Sequence, residues 1–172
     1  MLYHELGLRF SSPFINLYVK PCDFIRFLKS PFVYIGSEMQ ECHLSDCSFP
    51  VGKINDIFLY GVHYSSFDML KKKWDERKKR INWDNVYIMM SERDGCSYDD
   101  LVDFDLLPYK HKVCFVHKNM PEIKSSFYIP HSECFDPLGV HMIKSITAYL
   151  GRFTGRRIVD KYDYVSFFNN LD

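Results

Sequence analysis

Short apolar segments alternate with stretches of helical spacing along the chain. The apolar segments lack a strict alternation of apolar and polar positions, which favours strands covered on both faces, as in a mostly parallel sheet. The predicted strands are Phe14–Val19, Ile57–Val62, Val86–Met90 and Val113–Val116, with Phe127–Ile129 as a fifth.

The segments between the strands carry apolar residues at helical intervals. Pro21 stands at a first helical turn, where a missing N–H does no harm. Ser97 and Asp100 form the S-x-x-D variant of a capping box, and either Ser65 or Ser66 can cap another helix. The predicted helices are Pro21–Lys29, Ser66–Arg80, Tyr98–Leu107 and His141–Leu150. This order predicts an α/β fold, with layered α/β/α architecture around a mainly parallel or mixed sheet.

Length and composition indicate one domain that spans residues 1–172. The 172 residues include 47% hydrophobic ones, and no repeat or linker interrupts them. Lysine and arginine number 22, and so do aspartate and glutamate, so a globally basic nucleic-acid binder is not expected.

Targeting and redox signals favour the cytoplasm. No apolar run is long enough for a spanning helix, and the first residues do not resemble a signal peptide. The six cysteines form no C-x-x-C pair, which suits a reduced protein. We expect a cytoplasmic chain that works at the inner face of the membrane.

The turn after Ile57–Val62 holds a first group of candidate residues, because ligands in open α/β sheets bind beyond the carboxyl ends of the strands. His63, Tyr64 and Ser65 lead directly into a predicted helix, whose N-terminus favours anions. His63 is a candidate general base, and Tyr64 and Ser65 are candidate substrate ligands. The alternative is a helix cap beside a hydrogen-bonded histidine at a strand end.

The turn after Val86–Met90 is the candidate metal site. Glu92 and Asp94 are spaced like the acidic pair with which nucleotide-sugar transferases hold Mg²⁺ or Mn²⁺, and the metal would neutralise a diphosphate leaving group. Arg93 is a candidate phosphate ligand, and Asp94 a second candidate catalytic residue. The alternative is a polar turn built on Asp94 and Gly95. The literal D-x-D at Asp103 and Asp105 is not expected to bind metal, because residues two apart on a helix diverge.

Basic residues supply further candidate substrate ligands. Lys71–Arg80 is rich in lysine and arginine, and its apolar stripe faces inward, so its charge faces water or a polyanion such as anionic lipid. A solvated helix face is the alternative. The ligands predicted from this region and from later strand boundaries are Arg77, Arg80, Asn82, His117 and Lys124.

Several motifs together resemble a bacterial family of unknown function. They are Leu6-Gly7-Leu8, Ser12 to Leu17, Pro50-Val51-Gly52, His63-Tyr64 leading to Trp74, Arg77 to Asn82, Arg93-Asp94-Gly95 and Lys112 to Phe115. Members are often labelled exopolysaccharide or capsule biosynthesis proteins. The resemblance implies a layered α/β domain and supplies no established catalytic residues. Members usually carry an extra strand ahead of the region that matches Tyr3-His4, and we expect this chain to lack it.

Three functions are consistent with these features. The favoured one is a glycosyltransferase-like enzyme that uses a nucleotide-activated sugar to assemble capsule, exopolysaccharide or lipopolysaccharide. The second is a sugar O-acyltransferase with His63 as base. The third is a non-catalytic module whose basic helix docks on an anionic membrane or on a biosynthetic partner.

Overall fold

Helices and short strands alternate in the computed structural model, which describes residues 11–137, 139–149 and 155–169. This alternation confirms the α/β class. The chain divides after Asp84 into two units, which are described separately below. That residues 1–172 form a single domain stays a prediction.

The first unit combines three helices with a three-stranded antiparallel sheet. The helices are α1 (Pro21–Lys29), α2 (Pro31–Gly36) and α3 (Phe67–Lys78), and the strands are β1 (Gln40–Cys42), β2 (Val51–Ile54) and β3 (Ile57–Tyr60). Strands β2 and β3 form a hairpin in which Ile54 pairs with Ile57. Asn55 takes φ 54° in the turn, a left-handed conformation that asparagine tolerates well.

Aromatic rings from separate segments form the core of the first unit. Trp74 of α3 is 1% exposed, and its ring lies 5.5 Å from that of Phe14 and 6.3 Å from that of Phe27 in α1. All these ring pairs meet edge to face, the favoured geometry for aromatic packing. Packing therefore fixes α1 and α3 against the segment that precedes α1.

Two glycines allow α3 to approach the β2–β3 hairpin closely. A Cβ added to Gly52 would lie 2.5 Å from Met39 Sδ and 3.2 Å from Leu70 Cδ2. A Cβ added to Gly61 would lie 2.9 Å from the Pro50 carbonyl oxygen, and it would also overlap Leu70. Leu70 of α3 thus fills the space that side chains at these two positions would occupy.

The second unit is built on a parallel sheet of three strands in the order β4-β5-β6. These are β4 (Tyr87–Ser91), β5 (His111–Val116) and β6 (Ser126–Tyr128), and helix α4 (Tyr98–Asp105) connects β4 to β5. An antiparallel pair follows, β7 (Glu133–Phe135) and β8 (His141–Ile143), and then a 3₁₀ turn (Ile158–Lys161) and α5 (Tyr164–Asn169). The buried residues Val113 to Val116 make β5 the centre of this sheet.

Two predicted elements are wrong. Phe14–Val19 is a turn with one bridge, Tyr18 to Tyr60, because Asn16 takes φ 64° and interrupts any strand there. The segment predicted as helix His141–Leu150 starts as strand β8, which pairs with β7. Residues Leu150 and Gly151, where that helix was expected to end, lie outside the described residues, as does the Leu6-Gly7-Leu8 motif.

The helix caps follow the sequence closely. Ser66 accepts a hydrogen bond from the Met69 amide at 3.3 Å, so Ser66 rather than Ser65 caps α3. Ser97 and Asp100 form the predicted capping box at the start of α4. The Pro21–Lys29 helix has the predicted bounds, with its proline in the first turn.

Asp105 connects the end of α4 to the segment before β6. Its carboxylate accepts a hydrogen bond from the Ser125 amide at 2.6 Å. Burial by itself would raise the pKa of Asp105, but hydrogen bonds from Ser125 and Lys124, together with the charge of Lys112, lower the pKa below its usual value. The ionised carboxylate therefore stabilises this connection.

We expect Asp105→Asn to lower the free energy of unfolding by about 1 kcal/mol at pH 7, the low end for a charged hydrogen bond because the site is partly exposed. A lowered folded-state pKa means that this stabilisation is present above about pH 4 and is lost as the pH falls through the folded pKa. Urea unfolding of Asp105→Asn and of the wild type at pH 7 and at pH 3 measures the loss of stability and its dependence on pH. Asp99→Asn, at an exposed position of the same helix, is the control. Equal losses for both variants at pH 7 would contradict this role for Asp105.

Candidate active site

Glu92 and His117 follow neighbouring parallel strands, and the structure brings them together. Ser91 at the end of β4 pairs with Phe115 of β5, and the Glu92 amide donates to the Phe115 carbonyl at 2.9 Å. The next residues along both strands therefore emerge side by side. This is the carboxyl-end edge of the parallel sheet, where ligands bind in folds of this class.

Two hydrogen bonds join Glu92 to His117. Glu92 Oε2 lies 2.8 Å from His117 Nδ1, and it accepts from the His117 amide at 3.1 Å. Glu92 is 7% exposed, and the His117 side chain is 12% exposed. Because an ionised carboxylate can only accept, Nδ1 carries the proton in the neutral imidazole, and Nε2 is the ring nitrogen that can take up another. A carboxylate that orients an imidazole in this way suits general-base chemistry.

The β7–β8 hairpin holds the backbone of this site. The Ile143 amide in β8 donates to the Glu92 carbonyl at 3.1 Å, and Arg93 Nη1 donates to the Ile143 carbonyl at 2.8 Å. Ile143 itself is fully buried. The main chain on both sides of the Glu92 side chain is therefore fixed by neighbouring strands.

The residues after Glu92 have the geometry expected if they form a polar turn, the alternative to a metal site. Asp94 and Gly95 take φ 57° and 82°, and Arg93 Nε lies 3.9 Å from Asp94 Oδ2. Binding of a metal by Glu92 would compete with its hydrogen bonds to His117. The described residues also contain no group of three or more histidine, cysteine, aspartate and glutamate side chains placed to share a metal. This donor set suits a base-orienting Glu92 better than a metal ligand, and the Mg²⁺ or Mn²⁺ site at Glu92 and Asp94 stays a prediction.

Cys114 lies in β5 close to this site but is unsuited to nucleophilic chemistry. Its side chain is fully buried. Burial raises the pKa of the Cys114 thiol well above its usual value, and the nearby Cys96 and Glu92 raise it further. The thiol therefore stays protonated, and a cysteine mechanism at this position is not supported.

Tyr64 and Arg77 meet in the first unit, although not as surface ligands. Arg77 is 6% exposed and donates through Nη1 to the Ile15 carbonyl at 2.7 Å and to the Tyr64 hydroxyl at 2.9 Å. The Tyr64 hydroxyl donates to the same carbonyl at 3.2 Å. These bonds tie α3 to the segment before α1, so they have a structural function.

The other predicted residues of the first unit lie on its surface. His63, Ser65 and Asn82 are exposed. Arg80 lies 4.0 Å from Glu76 in a surface ion pair. The predicted residues thus form two sets, one in each unit, and a pocket common to both sets stays a prediction.

Ion pairs reduce the free charge of the basic helix. Lys71, Lys73 and Lys78 pair with Glu38, Glu76 and Asp75 at 3.0, 3.1 and 2.8 Å. Lys72 and Lys79 are exposed. The positive surface is therefore smaller than the sequence suggests, and contact with an anionic membrane stays a prediction.

Sequence comparison places the chain in a family. The sequence model of a family described as "Domain of unknown function (DUF1919)" matches residues 1–169. The chain belongs to the DUF1919 family. An "Uncharacterized protein" of Haemophilus influenzae is 37% identical to it over 169 residues, which cover 98% of this DUF1919 chain and 79% of the relative. Within the described residues, no helix of the DUF1919 chain has the length and apolar character to cross a bilayer.

Lys124, the remaining predicted ligand, lies in a different part of the DUF1919 chain. It lines a cleft at the amino ends of β5 and β6, the edge of the sheet opposite to Glu92 and His117. Sequence reasoning selected Lys124 as a ligand ahead of a strand but missed the rest of this cleft, because it otherwise ranked residues at carboxyl ends. Sequence reasoning also assigned Glu92 to a metal site and His117 to substrate binding. The signal that could have paired these two residues is that each directly follows one of two adjacent strands.

Proposed function

We propose that this DUF1919 chain is a cytoplasmic enzyme of cell-surface polysaccharide assembly, which transfers a sugar from a nucleotide-activated donor to a hydroxyl acceptor. The observation that carries the proposal is the Glu92–His117 pair. A largely buried imidazole held by a buried carboxylate, at the carboxyl ends of parallel strands, is suited to remove a proton from a hydroxyl group.

In the proposed reaction, His117 Nε2 takes the proton of the acceptor hydroxyl as the hydroxyl oxygen bonds to the anomeric carbon of the sugar. The bond from that carbon to the nucleoside diphosphate breaks, and the diphosphate leaves with the electron pair. Glu92 accepts from Nδ1, which keeps Nε2 as the accepting nitrogen and stabilises the imidazolium that forms. His117 then returns the proton to solvent.

Cationic groups beside the pair favour an anionic leaving group. Arg93 follows Glu92 directly, with its guanidinium between the Ile143 carbonyl and Asp94. Lys118 follows His117 and is exposed. A diphosphate near these two side chains would gain charge-assisted hydrogen bonds. The proposed steps need no metal.

The sequence resemblance supports the substrate class. Chains with the same motifs are often labelled exopolysaccharide or capsule biosynthesis proteins, so a sugar is the expected transferred group. Contact with the inner face of an anionic membrane, where such polymers begin, would use exposed lysines such as Lys72 and Lys79.

The test is turnover with a panel of UDP- and GDP-sugars, each with Mg²⁺, with Mn²⁺ and with a chelator, measured by release of UDP or GDP. We expect release from at least one donor in proportion to protein concentration, and calorimetric binding of the same donor. A His63→Asn variant should keep full activity, because the proposed proton transfer uses His117, whereas His63 is the base of the acyltransferase alternative. Absence of both turnover and donor binding across the panel would refute the proposal. Acetyl transfer from acetyl-CoA that His63→Asn abolishes would favour the acyltransferase.

A further inference from the structure

A cleft of about 370 Å³ lies at the amino ends of β5 and β6, and nothing in the proposed reaction uses it. Its walls are the first residues of these two strands, the residues just before them, and a segment from Tyr162 to Phe167. The volume is within the range of small-molecule sites, roughly 300–1,000 Å³. All of the lining belongs to the second unit.

Positive charge predominates in this cleft. The lining includes three lysines, Lys110, Lys112 and Lys124, against one carboxylate, Asp163. Asp163 accepts hydrogen bonds from the Ser166 amide at 3.0 Å and from the Ser166 hydroxyl at 2.6 Å. Lys110 and Lys124 are exposed, and neither forms an ion pair with any residue of the described ranges. Their two ammonium groups are therefore available to an anion.

The third lysine of the lining, Lys112, is engaged by other groups of the protein. Lys112 donates to the Leu107 carbonyl, and the Asp105 carboxylate acts on it electrostatically. Burial lowers the pKa of Lys112, and the charge of Asp105 opposes that shift. Direct contact with a ligand therefore falls to Lys110 and Lys124.

Aromatic rings form the other wall. The ring of Tyr162 lies 4.8 Å from that of Phe127 and 5.5 Å from that of Phe167, and both pairs meet edge to face. Burial, with a smaller effect of Asp163, raises the pKa of Tyr162 to about 12, so its hydroxyl remains a hydrogen-bond donor at neutral pH. Partly exposed rings beside lysines can accommodate a flat ring and an anionic group together.

We propose that this cleft binds a nucleoside phosphate, with the base or ribose against Phe127, Tyr162 and Phe167 and the phosphate between Lys110 and Lys124. The site is separate from the proposed reaction centre. Strand β5 runs from His111 at the cleft to Val116 beside His117, a length of about 17 Å. A mononucleotide in the cleft would therefore not contact the Glu92–His117 pair.

The experiment is calorimetric titration of the full chain with UMP, uridine and inorganic phosphate. We expect UMP to bind more tightly than either fragment, because only UMP engages both walls. In Lys110→Ala/Lys124→Ala the Kd for UMP should rise about tenfold or more. The control Lys72→Ala/Lys79→Ala removes two exposed lysines outside the cleft and should keep the wild-type Kd.

His117→Asn separates this inference from the proposed reaction. UMP binding that persists in His117→Asn and is lost in Lys110→Ala/Lys124→Ala supports the cleft, whether or not any nucleotide-sugar is turned over. Binding lost in His117→Asn and kept in the double lysine variant would overturn the inference, as would no UMP binding to the wild type. Equal affinity for UMP and uridine would overturn the role of the lysines. Circular dichroism should show unchanged folding of the double variant, because neither lysine has an ion-pair partner in the described part of the chain.

Discussion

Substituting His117 with asparagine is expected to lower kcat of the proposed sugar transfer by about 10²–10⁴-fold. Asparagine places an N–H close to the position of Nδ1, so the hydrogen bond to Glu92 can persist, but it offers no basic nitrogen in place of Nε2. The free energy of unfolding should therefore change little. Initial rates at saturating donor, together with urea unfolding, measure the two quantities.

Glu92→Gln tests the positioning function of the carboxylate. We expect a smaller fall in kcat and an altered pH–rate profile, because glutamine can accept from Nδ1 but carries no charge to stabilise an imidazolium. A merely structural Glu92 would lower stability without changing the profile. Glu122→Gln, the same change at an exposed glutamate of the second unit, is the control and should keep the wild-type pH dependence. His117→Asn with kcat within threefold of wild type would exclude His117 as the base.

Replacing Arg77 with alanine is expected to lower the free energy of unfolding by about 3 kcal/mol. The change removes a buried guanidinium that donates to the Ile15 carbonyl and to the Tyr64 hydroxyl, and it leaves both groups short of a partner. Arg80→Ala, at a half-exposed position with a 4.0 Å ion pair, should cost less than about 1 kcal/mol. Urea unfolding of the two variants measures the difference.

Tyr64→Phe gives an internal check on the same network. It removes only the hydroxyl, so we expect an intermediate loss of about 1–2 kcal/mol. If Arg77→Ala kept wild-type stability but lost nucleotide-sugar binding, Arg77 would be a substrate ligand after all. A stability loss equal to that of Arg80→Ala would show that the buried bonds contribute little.

Local sequence signals predicted α1, α3 and α4, whereas α2 was not predicted. The proline of α1, the Ser66 cap and the Ser97–Asp100 box each involve residues a few positions apart, so their physics is contained in the sequence. The strand predicted at Phe14–Val19 is wrong because Phe14 contributes to the tertiary core, where it contacts the ring of Trp74, and not to a sheet. The helix predicted to begin at His141 is wrong because this segment pairs with β7, and that pairing makes it strand β8.

Sequence reasoning found both members of the candidate pair but not the pair itself. The rule about carboxyl ends selected Glu92 and His117, since each follows an apolar strand. That β4 and β5 are adjacent and in a register that places the two side chains together is a property of the sheet. The cleft escaped prediction for a related reason, because its rings come from Phe127, Tyr162 and Phe167, which only the fold assembles.

The two glycines under Leu70 have a consequence for evolution. Any side chain at Gly52 or Gly61 would push against Met39, Leu70 or the Pro50 carbonyl, so selection for folding alone should keep both positions unchanged across relatives. Neither glycine contributes to the proposed chemistry. Invariance of Gly52 and Gly61 would therefore reflect the close packing of a helix on a hairpin. A search that identifies catalytic residues by invariance alone would select these two glycines wrongly.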